Sequence, residues 1–170
     1  MKLQVGCGRD VRIGYLNLDK IRLQGVEIVA DLERGLPFAA GCFTEIIAFN
    51  ILEHVEDLPA VMADLYRILT PDGSLHIKVP HFTHRGAFSD PTHKNFCTYD
   101  TFFYFTRDFS WNYYFNFAFT SIHAKIIFPK GKQIYNYLVE PVMNRIPVIY
   151  ELTFLRSLFP AHQVDVVLKK

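Results

Sequence analysis

Two sets of residues in this 170-residue chain have types and spacings that could do chemistry. The first is Gly6-Cys7-Gly8 with Asp19. Leu3 and Val5 lead straight into the glycines, and a second apolar run, Tyr15 to Leu18, ends on Asp19. Glycine has no Cβ, so a turn built on two of them lets backbone come close to a ligand. An acidic residue closing the next strand is placed to accept hydrogen bonds from a ribose diol. Together they suggest a nucleotide-type cofactor across the ends of two neighbouring parallel strands, although GxG by itself also occurs in simple tight turns. The second set is His81, His84, Asp90, His93, Tyr99 and Asp100, the densest run of titratable groups in the chain. Histidine has an unperturbed pKa suited to proton transfer near neutrality.

The elements that must position these residues alternate along the first half. Val26 to Ala30 reads as a strand ending at Asp31, and Phe43 to Phe49 as another ending at Asn50. Asp57 is an N-cap candidate with Pro59 in the first turn after it. Leu58, Val61, Met62, Leu65, Ile68 and Leu69 recur at three- and four-residue steps, which predicts an amphipathic helix. Thr70-Pro71-Asp72-Gly73 then makes a turn, and Leu75, Ile77 and Val79 alternate with Ser74, His76 and Lys78 in the following strand. Strand and helix in alternation argue for a parallel α/β sheet. Only Arg9 to Gly14 separate the first two strands, so any crossover helix there must be cut to about one turn. Later, Phe119 to Phe128 and Gln163 to Leu168 read as strands, and Ile134 to Phe159 as short helices broken by Pro141 and Pro147.

Composition narrows the class. Half the residues are hydrophobic, and 18 basic against 17 acidic residues leave no excess that would mark a nucleic-acid binder. The three cysteines are widely spaced, which fits a reducing, cytoplasmic compartment better than a disulfide framework. No apolar run reaches the ~18 residues of a membrane span. No linker or repeat marks a second domain, so residues 1–170 are expected to form one, with 1–80 as the cofactor half and 81–170 as the acceptor side and last strands.

The blocks LQVGCG, LNLD, VADLERGLPFAAGCFTEIIAFNILEHVED and LYRILTPDGSLHIKVP resemble, in order and spacing, the class I S-adenosylmethionine-dependent methyltransferases, in particular the small methyltransferase type 11-like subgroup. The likeness covers Lys2 to Pro80. It implies a Rossmann-like, mostly parallel seven-stranded sheet with helices on both faces, here with the first crossover helix shortened. It also implies S-adenosyl-L-methionine as cofactor. By that resemblance Gly6, Cys7 and Gly8 form the loop under the methionine and ribose, with Gln4 just before it. Asp19 binds the ribose hydroxyls, Asp31 and Leu32 flank the adenine, and Asn50 and Ile51 meet the methionine moiety. His54 falls on the LEH histidine, with loop orientation as its first reading. Two positions depart from the pattern: Gln4 stands where an acidic residue is common, and Asp10 where a third glycine is common.

In such a fold the segment after Val79-Pro80 lies over the methyl group. His81, His84 and His93 are therefore the candidate bases for a small-molecule acceptor, with oxygen preferred because of the histidines. Two other readings stay open: a capped Asp90-Pro91-Thr92-His93 turn that fixes a lid, and a metal site on His81, His84 and Asp90 or His93. The spacing of that set matches no metal motif, so no metal is assigned. The aromatics from Phe102 to Phe119 are expected in the core, with a stacking platform as the alternative. Ile134 to Phe159 could cover the sheet, pair two chains as a homodimer or touch a membrane surface. The rival to an enzyme is a catalytically inactive methyltransferase-like module acting as a partner or regulator.

Overall fold

Leu3, Val5, Leu16, Leu18, Ile46, Ala48, Leu75, Ile77, Val79, Val164, Val166 and Leu168 occupy alternate strand positions, and strand geometry sends them all to one face. Burying that face is what assembles the molecule. The computed structural model describes residues 1–131 and 133–170. Its strands are β1 (Lys2–Val5), β2 (Leu16–Asp19), β3 (Ile28–Val29), β4 (Phe43–Phe49), β5 (Leu69–Pro80), β6 (Ser121–Ile127) and β7 (Gln163–Lys169). They form one seven-stranded sheet in the order β3-β2-β1-β4-β5-β7-β6. The first five are parallel, and β7 runs antiparallel between β5 and β6.

Helix α1 (Leu58–Ile68) covers the buried face through Leu58, Val61, Met62, Leu65 and Ile68. It starts where Asp57 accepts a hydrogen bond from Ala60 N at 2.9 Å, the cap expected of that residue. Phe102, Phe105, Phe115, Phe117 and Phe119 pack into the same core, so most of the aromatic run is packing material. Trp111, Tyr113 and Tyr114 instead lie exposed and close to one another. The Thr70–Gly73 turn does not end the sheet pairing. It loops out of β5 between the Phe43–Leu69 and Glu45–Ser74 pairs, with Asp72 at φ 61°.

The second face departs from the expected architecture. Its alternate positions hold Lys2, Glu45, His76, Lys78, His123, Lys125 and Asp165, half-buried or exposed, and among the described residues no helix covers them. The first crossover contains no helix either, not even a single turn of one. Residues 6–15 form successive turns and pass over this face, where the Tyr15 hydroxyl bonds Glu45 and Arg12 lies 5.0 Å over the Phe49 ring. The reason is length. With four residues each, β1 and β2 need a return path of only about 13 Å, which a short extended linker covers.

Three short helices follow β6: α3 (Asn136–Met143), α4 (Pro147–Leu152) and α5 (Leu155–Leu158), while α2 (Arg85–Ser89) precedes it. Asn144, just after α3, accepts from Ile126 N at 2.8 Å and donates to Ile126 O at 2.7 Å. These bonds satisfy both backbone groups of Ile126 on the outer edge of β6 and so shorten the edge open to another chain. Ile134, Leu138, Leu152, Phe154 and Leu158 remain exposed on this segment.

Candidate functional site

β1, β2 and β4 point their carboxyl ends at one cavity of 660 Å³, within the range of small-ligand sites. Gly6, Leu18, Asp19, Lys20, Asp31, Leu32, Asn50, Ile51 and His54 line it, with Pro91, Thr92 and Lys94 reaching over from a later loop. Seven of the ten cofactor positions expected from the sequence thus face one space. Gly6 has φ +62°, and a Cβ there would lie 2.3 Å from Ile51 Cγ1, so only glycine fits between the strand and Ile51. Asp19 holds the loop: its Oδ2 accepts from Gly8 N at 2.7 Å and its Oδ1 from Ile21 N at 2.9 Å. Each oxygen keeps a second lone pair for a ligand hydroxyl. Asp31 caps the 3-10 turn of residues 32–34 by accepting from Glu33 N at 3.1 Å, which presents Leu32.

Gln4, Cys7 and Gly8 stand behind this surface and do not line it. Gln4 is buried, and its amide donates to Asp10 O at 2.7 Å, while Oε1 has no partner. The two departures from the family pattern therefore meet: Gln4 grips the backbone of Asp10 and braces the turn that follows the glycines. Cys7 N donates to Leu18 O at 3.1 Å, which keeps the loop in register with β2.

A second cavity of 330 Å³ adjoins the first, with Asn50 and His54 shared between them. Its other walls are Glu53, Pro80, His84, Gly86, Asp90, His93, His162 and Gln163. Asn50 sits at φ 52°, in the left-handed region that asparagine tolerates, and accepts from Gln163 Nε2 at 3.0 Å. The loop carrying Asp90 to Asn95 is pinned to the LEH segment. Lys94 N and Asn95 N donate to Glu53 O at 2.7 and 3.0 Å, Asn95 Nδ2 donates to Val55 O at 2.7 Å, and Lys94 pairs with Glu56. The Asp90 turn is capped as well, with Thr92 N donating to Asp90 Oδ1 at 2.9 Å. One loop thus walls both cavities.

The three candidate bases have different surroundings. His81 is fully buried and lines neither cavity; its Nε2 lies 2.9 Å from Glu151 Oε1, which also accepts from Tyr99 N at 2.7 Å. This latch joins the end of β5 to α4. His84 faces the second cavity, but its Nδ1 accepts from Gly86 N at 3.2 Å and caps α2. Its proton is therefore on Nε2, directed at His162 Nδ1 at 3.2 Å. Burial, then His162, holds its pKa below the ordinary value. His93 faces the same cavity and donates from Nδ1 to Ala87 O at 3.0 Å, leaving Nε2 free. Burial, then the charge of His93, lowers the pKa of His54, and burial pushes the Glu53 carboxyl up to about 7.

Comparison with known proteins agrees with this geometry. Residues 10–77 match the methyltransferase domain family. The fold is similar to that of S-adenosylmethionine-dependent methyltransferases from Archaeoglobus fulgidus (17% identity, TM-score 0.68) and Mesorhizobium loti (15%, 0.61). It is also similar to one from Thermotoga maritima (12%, 0.64). Each alignment covers 99% of this chain, and 85%, 90% and 81% of the respective relatives. No match was found among curated protein sequences. Residues 10–77 thus carry the pattern of a methyltransferase domain, and the chain as a whole has the fold of S-adenosylmethionine-dependent methyltransferases. No helix among the described residues is long and apolar enough to cross a membrane.

Proposed function

We propose that the chain transfers a methyl group from S-adenosylmethionine in the larger cavity to a small-molecule acceptor, at oxygen, in the smaller one. The observation that carries this reading is the junction of the two cavities at Asn50 and His54. When bound, the cofactor supplies a sulfonium methyl group whose in-line displacement depends on alignment and exclusion of water. Asp19 would accept from the ribose hydroxyls, Gly6 would give the methionine backbone room, and Leu18, Leu32 and Val55 would offer apolar surface to the base. Asn50 and Ile51 would position the methionine end. A hydroxyl acceptor must also shed a proton. His93 is the one of the three candidate histidines with a free nitrogen toward the acceptor cavity, and with Glu53 and His54 it forms the group that would handle that proton. His81 and His84 would act by holding this wall in place. One continuous sheet from residue 2 to 169 supports reading the chain as a single domain, and three free cysteines support a reducing compartment.

Calorimetric titration with S-adenosylmethionine and S-adenosylhomocysteine, beside an Asp19→Ala variant, tests the cofactor half. Binding near micromolar, about 8 kcal/mol, that weakens sharply in the variant is the expected result. No binding of either compound would favour the inactive module. For the acceptor half, labelled methyl incorporation into a panel of hydroxyl compounds and amines is the test, and transfer to amines alone would remove the oxygen assignment. The exposed Ile134, Leu138, Leu152, Phe154 and Leu158 support pairing of two chains through the α3–α5 segment. A monomer in sedimentation velocity at working concentration would exclude that pairing.

A further inference from the structure

Three side chains of the acceptor cavity converge in a way that substrate contact alone does not require. Glu53 is 1% exposed, and its Oε2 has no hydrogen-bond partner. A buried oxygen without a partner is unfavourable in a folded chain and is the kind of atom a bound ligand satisfies. His93 Nδ1 lies 3.0 Å from Ala87 O, and a carbonyl can only accept, so the proton is on Nδ1 and the lone pair on Nε2. His54 reaches the same state by a longer route. Thr92 gives its hydroxyl proton to Asp90 Oδ1 at 2.6 Å and must therefore accept from His54 Nδ1 at 2.9 Å, which again leaves Nε2 with a lone pair. A carbonyl or hydroxyl that fixes one imidazole nitrogen and frees the other is the usual outer support of a metal-binding histidine.

Glu53, His54 and His93 each offer a ligand atom, and all three atoms lie within 4.8 Å of one another. We propose that these residues form a site for a divalent cation of the zinc class, two imidazoles and one carboxylate, with its open positions facing the acceptor cavity. Bonds of about 2.0–2.2 Å to each ligand require separations of roughly 3–3.5 Å, so small side-chain rotations close the set. Asp90 Oδ2, 3.9 Å from His93 Nε2, adds negative charge beside it. Two imidazoles with one carboxylate suit the borderline ions Zn²⁺, Fe²⁺, Co²⁺ and Mn²⁺ better than Ca²⁺ or Mg²⁺. The inference deepens the reading above and rests on it only for its purpose. With an ion bound, His93 Nε2 would be a ligand and no longer the proton acceptor. The ion would hold a hydroxyl acceptor and lower its pKa so that the proton passes to solvent, whereas ion binding itself requires no cofactor.

The test uses the full chain, stripped with a chelator, then titrated with Zn²⁺ by calorimetry and with Co²⁺ by visible absorption. One equivalent of each ion per chain is expected, with loss of the site in His93→Ala and Glu53→Gln. Thr92 is exposed and would touch no ion, so Thr92→Val carries little folding risk; it should still weaken binding by roughly 10–100-fold, because it frees His54 to turn. His123→Ala, on the open sheet face, should leave the affinity unchanged. The proposal fails if no stoichiometric binding occurs, if Thr92→Val binds like the parent, or if His123→Ala is the variant that loses the ion. A parallel S-adenosylmethionine titration separates the two readings. Ion binding without cofactor binding removes the methyl-transfer reading, and cofactor binding without ion binding removes this one.

Discussion

At the scale of single residues, the site depends on backbone positions that few side chains can occupy. Gly6 is the sharpest case: φ +62° disfavours any L side chain, and an added Cβ meets Ile51 at 2.3 Å. Gly8 has φ +51° but open space around the same atom. Gly6→Ala should therefore cost about 1–3 kcal/mol and displace Ile51 from the cavity wall, whereas Gly8→Ala should carry only the dihedral cost of about 1 kcal/mol. Denaturant midpoints of both variants check this, and equal losses would mean that Ile51 yields freely. Gly6, Asp19, Asp31 and Asn50 are legible in the sequence because strand ends, turns and caps restrict residue type locally. Glu53, Thr92 and Lys94 are not. Their places depend on the loop of residues 90–95 folding back across the LEH segment, and nothing local in their sequence records that contact. Gln4 shows the opposite error: a family position suggests a cofactor contact, but its amide is already committed to Asp10 O.

At the scale of elements, the helix of residues 58–68 and the seven strands follow from apolar periodicity, but the number of layers does not follow from the family pattern. Ser74, His76 and Lys78 alternate with Leu75, Ile77 and Val79, which is the signature of a strand solvated on one side. The family pattern points to helices on both faces, and the alternation proves the better guide. Polar pairs hold the open face together. Asp165 on β7 lies 2.6 Å from His76 Nε2 and 3.5 Å from Lys78 Nζ, both on β5. Burial acts to raise the Asp165 pKa, but its bonds to His76 and Lys78 and their charges outweigh this and hold it below the ordinary carboxylate range. A carboxyl depressed on folding adds stability above its unfolded pKa and loses it as pH falls through the folded value. The stability advantage of the parent over Asp165→Asn should therefore be full near about pH 6 and shrink below about pH 4. Urea midpoints of the pair across that range measure it, and an advantage independent of pH would show that the Asp165 pairs add nothing.

At the scale of the whole molecule, one layer of buried side chains must hold together a sheet whose functional end is made of loops. The glycine turn, residues 50–55 and residues 90–95 come from three distant parts of the chain and meet only around the larger cavity. A ligand that touches all three binds the folded state alone, so it should stabilise the entire chain by mass action. At a hundredfold excess over its dissociation constant the gain is about 2.7 kcal/mol. For a chain of this length each kcal/mol moves the melting temperature by about 2–4 °C, which predicts a rise of about 5–10 °C with S-adenosylmethionine. Asp19→Ala should lose most of that rise, because Asp19 is both the ribose acceptor proposed above and the clamp on Gly8. Differential scanning fluorimetry with and without cofactor decides it. A parent that melts at the same temperature at every cofactor concentration would mean that the three loops close the cavity for some other ligand. A rise that survives intact in Asp19→Ala would place the cofactor elsewhere on the sheet.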